Sequence, residues 1–281
     1  MKPRDTISGA IQAAAAQGRP ALVGYLTAGF PTRKDFKKNL AAVAGECDVV
    51  EIGVPFSDPM ADGTTIQRAS FAALADGVTL PWILEELAAM RRPAGAADGA
   101  GARIPQAGPG AAEIPGRVPS GVPILLMSYL NPLLAYGLEK LPRAAAAAGV
   151  AGFIVPDLPY EESDELKAAL DQEGLALVQM VTPVTPDSRL RMLCKSAQGF
   201  VYAVTMTGTT GKSVDVPDDV LEYMDRVKRY STVPVCAGFG IRSHEQVSRF
   251  ASHVDGVVVG SALVETLERG ADVRAFLGSL R

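Results

Sequence analysis

Val233-Pro234-Val235-Cys236-Ala237-Gly238-Phe239-Gly240-Ile241 is a short apolar run that breaks into glycines. Two neighbouring runs do the same: Phe200–Val204 leads into Gly208-Thr209-Thr210-Gly211-Lys212-Ser213, and Gly256–Val259 into Gly260-Ser261-Ala262. Five runs of the same kind precede them, at Ala21–Thr27, Val49–Gly53, Pro123–Tyr129, Ala151–Val155 and Ala176–Val181. All are short and nearly continuous in apolar residues, the pattern of strands buried on both faces of a parallel sheet. Helix-like segments fall between them, at Phe36–Ala44, Leu138–Ala148, Glu161–Glu173, Asp187–Lys195, Val220–Tyr230 and His244–Phe250. Gly149 stands as a helix-ending glycine and Ser243 at an N-cap position. Eight strand–helix units make an α/β fold of the (β/α)8, or TIM-barrel, type in a single domain over residues 1–281. The rival is a doubly wound open sheet, which usually carries one glycine fingerprint near its start. Glycine clusters after the sixth, seventh and eighth strands favour the barrel, whose last loops are a recurrent phosphate site.

Composition narrows the function. Lys and Arg total 27 against 31 Asp and Glu, a formal charge of −4, which argues against a chain built to neutralise nucleic-acid phosphates. No run of about 18 apolar residues occurs, so no membrane span is expected, and the opening Met-Lys-Pro-Arg lacks the apolar stretch of a secretory signal. A cytoplasmic location is the expectation. Cys47, Cys194 and Cys236 are widely spaced and odd in number, so neither a disulfide framework nor a zinc site is suggested. With two histidines in the chain, acid–base chemistry falls to carboxylates. One stretch breaks the rhythm: 20 of the 30 residues from Arg92 to Gly121 are Gly, Ala or Pro, without apolar periodicity. It reads as a flexible insertion before the third strand, on the rim away from the chemistry.

Val49-Val50-Glu51-Ile52-Gly53-Val54-Pro55-Phe56-Ser57-Asp58-Pro59-Met60-Ala61-Asp62-Gly63 carries the chemistry. Glu51 interrupts an apolar strand. Pointing into a barrel, it becomes a carboxyl in low dielectric with a raised pKa, suited to proton transfer; at a strand end, it becomes half of an ion pair. The loop that follows brings Asp58 and Asp62 between prolines and a glycine, where barrel enzymes keep working groups. Tyr129, Asn131, Asp157 and Tyr202 stand near other strand ends, as site residues or as packed aromatics and helix caps. The three glycine clusters together make a phosphate-bearing small-molecule substrate the expected ligand, because glycines free backbone N–H groups for an anion. Lys212-Ser213 is no P-loop, since Met206 stands where its first glycine belongs. Gly238-Phe239-Gly240 is no dinucleotide fingerprint, since Ser243 stands at its third glycine. Neither a zinc-protease helix nor a nucleophile elbow is present.

From about Ala21 to Leu267 the sequence resembles the tryptophan synthase alpha chain family. The resemblance is carried by Gly-Tyr-Leu-Thr-Ala-Gly-Phe-Pro (24–31), Glu51 through Gly63, Met-Ser-Tyr-Leu-Asn-Pro (127–132), Val-Pro-Asp-Leu-Pro (155–159), Thr-Gly-Thr-Thr-Gly (207–211), Gly-Phe-Gly-Ile (238–241) and Gly-Ser-Ala (260–262). It implies a lyase that cleaves indole-3-glycerol phosphate to indole and glyceraldehyde 3-phosphate, in tryptophan biosynthesis. It implies Glu51 as the proton shuttle and Asp62 as acceptor of the indole N–H. Phosphate contacts carry over to Gly211, Gly240, Gly260 and Ser261, with Phe239 backbone beside them. The indole pocket carries over to Tyr25, Met127, Tyr129, Ile154 and Tyr202, with Ile241 near the ring or the glycerol. Thr210 falls in a lid between Thr205 and Pro217. The resemblance also implies a separate beta chain as partner, in an alpha2-beta2 heterotetramer, with pyridoxal phosphate in that partner and no cofactor in this chain. Two rivals stay open: a phosphate-binding barrel isomerase, and a barrel kept as a scaffold with its chemistry lost.

Overall fold

The computed structural model describes residues 1–91, 121–205, 216–238 and 240–281. The strands are β1 (Ala21–Thr27), β2 (Val49–Gly53), β3 (Ile124–Met127), β4 (Val150–Ile154), β5 (Ala176–Val181), β6 (Val201–Val204), β7 (Val235–Gly238) and β8 (Gly256–Val259). All pair in parallel, each with the next, and β8 returns to β1 through Ala21↔Gly256 to Gly24↔Val259, closing the barrel. The helices are α1 (Pro3–Ala16), α2 (Phe36–Glu46), α3 (Thr64–Ala75), α4 (Leu80–Arg91), α5 (Leu130–Tyr136), α6 (Leu141–Ala148), α7 (Asp164–Gln172), α8 (Asp187–Ser196), α9 (Asp218–Tyr230), α10 (His244–Phe250), α11 (Ser261–Glu268) and α12 (Val273–Gly278).

Side-chain alternation along each strand divides the apolar residues into two cores. Leu22, Leu26, Val50, Ile52, Leu177 and Val257 face outward and pack beneath the helices. Val23, Tyr25, Leu125, Met127, Val178, Tyr202 and Val258 face the interior. The interior is closed at its N-terminal end by α1, whose Ile7, Ile11 and Ala14 join that inner core. Arg4 at its start pairs with Asp171, which also takes Lys167 at 2.7 Å and Gln198 at 2.9 Å. The Gln198 amide oxygen in turn accepts the Leu177 N–H at 3.0 Å, tying the plug to β5.

Four strands have the expected bounds, and four differ at their ends. The run expected at Val233–Ala237 becomes a strand at Val235–Gly238, because Pro234 has no N–H to donate and enters the ladder only as acceptor from Val201 at 2.8 Å. The helix expected over Glu161–Glu173 splits into a 3-10 turn, Tyr160–Glu162, and α7, with the Ser163 hydroxyl donating back to the Tyr160 carbonyl at 2.7 Å. Gly149 ends α6 in the left-handed conformation, and the Ser243 hydroxyl accepts the Gln246 N–H at the start of α10. Apart from Gly121, the stretch read as an insertion lies outside the described residues, between the end of α4 and the approach to β3.

Candidate active site

Glu51 lies in the middle of β2 and projects into the barrel, 1% exposed. Neither of its carboxylate oxygens has a hydrogen-bond partner among the described residues. Burial, and secondarily the charge of Asp62, push its pKa up to about 8. At neutral pH the group therefore holds a proton.

Asp62 is brought opposite by the β2–α3 loop. The loop is pinned by its own turns, Asp62 N–H to the Pro59 carbonyl at 3.1 Å and Met60 N–H to the Asp58 carbonyl at 2.9 Å. The Gln67 side chain of α3 adds a clamp, donating to the Asp62 carbonyl at 2.9 Å. Burial raises Asp62 to about 6, against a lowering hydrogen bond from Tyr129. The Tyr129 hydroxyl also accepts the Ala61 N–H at 2.8 Å, and its ring stacks on Phe56 at 5.1 Å. One phenol thus holds both the loop and its carboxylate. Between about pH 6 and pH 8 the pair comprises a proton donor and an ionised acceptor whose charge acts on that donor, the division of labour that general acid–base chemistry needs.

Three tyrosines stand beside the pair. Tyr25 is fully enclosed, its hydroxyl 3.3 Å from that of Thr27, and burial followed by the nearby Asp62 charge drives its pKa far up, so it stays a neutral phenol. Its ring lies over Gly53 of the adjacent β2, where a Cβ would collide with it. Tyr202 lies over Gly238 of β7 in the same manner. Met127 and Ile154 complete the interior wall. Ile241, by contrast, packs in the outer core with the helices. Asp58 is exposed in the loop, its carboxylate taking the Ser57 hydroxyl at 2.5 Å. Asp157 caps α5, accepting the Leu130 N–H at 2.9 Å, and not the helix that follows it in sequence.

At the adjoining strand ends Gly240 has φ +85°, a conformation that costs glycine little, and Gly260 is the N-cap of α11. The first intrahelical bonds of α11 run from Leu263 and Val264 to the Gly260 carbonyl, which leaves the Ser261 and Ala262 N–H groups directed out of the helix end. A Cβ added at Gly260 would lie 3.9 Å from Tyr25 and from Ile66, so this helix end adjoins Tyr25. The nearest guanidinium in sequence, Arg242, is held by Glu265 through two 2.9 Å bonds. Thr210, Gly211 and Phe239 lie outside the described residues. Sequence reading missed Gln67, Phe56 and Thr27. Of these, Thr27 alone had a signal, two residues beyond Tyr25 on the same face of β1.

A closed (β/α)8 barrel with a proton-holding carboxyl and an ionisable partner inside its C-terminal mouth stands among the barrel enzymes that work by acid–base chemistry. The sequence model of the tryptophan synthase alpha chain family matches residues 11–96 and 116–276. The chain belongs to that family. It is 42% identical over 272 residues to the tryptophan synthase alpha chain of Solidesulfovibrio magneticus, covering 96% of each chain. It is 40% identical to that of Geobacter sulfurreducens, covering 94% of this chain and 92% of the relative. Among solved structures, Mycobacterium tuberculosis tryptophan synthase superposes with a TM-score of 0.82 at 34% identity, over 98% of this chain and 96% of that one. The alpha subunit from Legionella pneumophila superposes with 0.81 at 28% identity, over 100% and 97%. The reaction is accordingly the alpha reaction of tryptophan biosynthesis, the lyase step that splits indole-3-glycerol phosphate into indole and glyceraldehyde 3-phosphate. No helix among the described residues is long and apolar enough to cross a membrane.

Proposed function

We propose that Glu51 and Asp62 divide the proton work of this cleavage. Glu51 gives its proton to the ring carbon bearing the glycerol phosphate side chain. Asp62 accepts the ring N–H and balances the positive charge that protonation leaves on the indole. The side-chain hydroxyl beside the ring then loses its proton to the Glu51 carboxylate. The carbon–carbon bond breaks, its electrons return to the ring, and indole and the aldehyde separate with Glu51 protonated as at the start. The observation that carries this reading is the fully buried Glu51 carboxyl, whose oxygens have no partner among the described residues. A stationary structural carboxyl in such a place costs stability without return.

Tyr25, Met127, Tyr129, Ile154 and Tyr202 hold the indole ring, with Ile241 behind it. Gly240, Gly260 and Ser261 cradle the phosphate through backbone N–H groups, joined by Gly211 and Phe239, while Thr210 belongs to the lid. This chain works without a cofactor of its own. A beta chain carrying pyridoxal phosphate is the partner, in an alpha2-beta2 assembly; a solved neighbour is described as a tryptophan synthase complex, from Pyrococcus furiosus, with a TM-score of 0.76 at 30% identity over 92% of this chain and 97% of that one. The chain acts in the cytoplasm as one barrel domain, with residues 92–121 a passive insertion. The test is indole release from indole-3-glycerol phosphate, by the chain alone and with a beta chain. Glu51→Gln abolishes release while glycerol phosphate still binds; unchanged release by that variant overturns the assignment.

A further inference from the structure

The phosphate cradle proposed above draws on two strand–helix units. Gly240 belongs to the turn after β7, and Gly260 and Ser261 to the start of α11 after β8. The ladder between these strands ends at Gly238↔Val258, so beyond it the spacing of the two halves falls to side chains. Arg242 makes the link. Its guanidinium gives one hydrogen bond to each oxygen of Glu265 on α11, both at 2.9 Å. Its backbone N–H donates at 2.7 Å to the amide oxygen of Gln246, a buried residue of α10, and Ile241 before it is buried in the outer core. Two residues after the left-handed Gly240, the chain is therefore fastened at both ends of one arginine.

Glu265 is the anchor of this link. It lies one turn into α11 from Ser261, and its side chain is 21% exposed against 44% for that of Arg242. The hydrogen bonds from Arg242 hold its carboxyl below the ordinary carboxylate range, so it stays ionised. Arg269 adds a bond at 3.1 Å, and the Thr65 hydroxyl approaches at 3.4 Å from the start of α3. α11 is itself braced against α3, because Arg68 holds the two oxygens of Glu268 at 3.0 and 2.6 Å. An exposed ion pair contributes little through charge, but a two-bond guanidinium–carboxylate pair fixes direction as well. Charge alone would serve a phosphate better with Arg242 left free. The pairing commits that cation to geometry instead.

We propose that Glu265 is a positioning residue for the alpha reaction: by gripping Arg242 it sets the Gly240 turn against the Ser261 end of α11, and so the fit of the substrate's phosphate. The inference rests on the reading of Gly240, Gly260 and Ser261 as the cradle.

Glu265→Ala, Arg242→Ala and the double variant, made in the full chain, test this through KM and kcat for indole-3-glycerol phosphate and through calorimetric binding of glycerol 3-phosphate. Each single variant raises KM and weakens glycerol 3-phosphate about tenfold, the loss of one two-bond pair, with kcat unchanged. The double variant is no worse than either single, because both open the same link. Indole, which carries no phosphate, binds all three as it binds the wild type. Glu265→Ala is the decisive arm, since removing a negative charge near an anion site tightens binding where charge alone matters. Tighter or unchanged binding of glycerol 3-phosphate by that variant overturns the proposal, as does a double variant showing the product of the two single effects. Indole binding weakened in the same proportion also overturns it, because the whole barrel has then loosened. Wild-type binding of glycerol 3-phosphate with Glu265→Ala unaffected removes the positioning role alone. A wild-type chain that cleaves its substrate without binding glycerol 3-phosphate removes the cradle, and the positioning role with it.

Discussion

At the N-terminal end of the barrel interior, Ile7, Ile11 and Ala14 of α1 close the core, and Asp171 beneath them takes bonds from Arg4, Lys167 and Gln198. At the other end, a few residues along the same inner surface, Glu51 is buried, neither of its oxygens has a partner among the described residues, and three buried phenols stand nearby. Burial tends to raise Asp171 as well, yet its hydrogen bonds hold its pKa below the ordinary value, whereas Glu51 is driven up to about 8. Two carboxyls in one barrel thus differ by what they are given to bond. A carboxyl whose oxygens are bonded serves stability, and one whose oxygens are left without a partner can exchange a proton with a substrate.

Changes at the two ends should therefore separate activity from stability. The largest effect is expected at Glu51→Gln, with turnover falling about 10²–10⁴-fold. The same variant should be more stable than the wild type, with a sign fixed by linkage. Below pH 4.5 the carboxyl is protonated in both folded and unfolded chains. Above it the unfolded chain ionises while the folded chain keeps its proton until about pH 8, so the wild type loses stability across that window and the glutamine variant does not. Melting temperatures from pH 5 to pH 8 should diverge steadily; parallel curves would mean that Glu51 is not desolvated as described.

Ile11→Ala should do the converse, costing about 2–5 kcal/mol in denaturant unfolding with kcat/KM of the folded enzyme unchanged. Loss of activity in folded Ile11→Ala protein would break the division between the two ends. A smaller effect is expected in the pH profile. kcat/KM should be bell-shaped, rising as Asp62 ionises near pH 6 and falling as Glu51 loses its proton near pH 8. Tyr129→Phe removes a bond that favours the ionised Asp62, so it should move the acid limb to higher pH and leave the alkaline limb in place. The smallest is Asp171→Asn, about 1 kcal/mol of stability with no change in that profile, because its partners are part-exposed.

The strands were legible because a parallel barrel buries both faces of each, which leaves almost no polar letters within the runs. Their ends were less so, since Pro234 contributes a carbonyl to the ladder without an N–H, a distinction that hydrophobicity does not register. α1 carries a helical signal in Ile7, Ile11 and Ala14, one or two turns apart, but in an alanine-rich opening it does not announce that it plugs the barrel. Glu51 and Asp62 stood out as carboxylates beside apolar strand and rigid loop. The bond from Ala61 N–H to Tyr129, 68 residues away, depends on the closed fold and leaves no mark in local spacing. Asp157 illustrates the same limit: a helix cap was foreseen, but the capped helix precedes it in the chain.

Tyr25 on β1 occupies the space that a side chain at Gly53 on β2 would fill, and Tyr202 on β6 does the same at Gly238 on β7. Pocket volume is in this way shared across a strand boundary, with a ring on one strand matched to a bare Cα on the next. Inherited change at these positions is thereby tied in pairs. Alanine at position 53 suits a chain in which residue 25 has already become small, and a small residue at 25 leaves an unfilled hollow until position 53 grows. Descent with modification in this pocket proceeds by exchanging ring for glycine between neighbouring strands, and each single step on the way passes through a less stable protein.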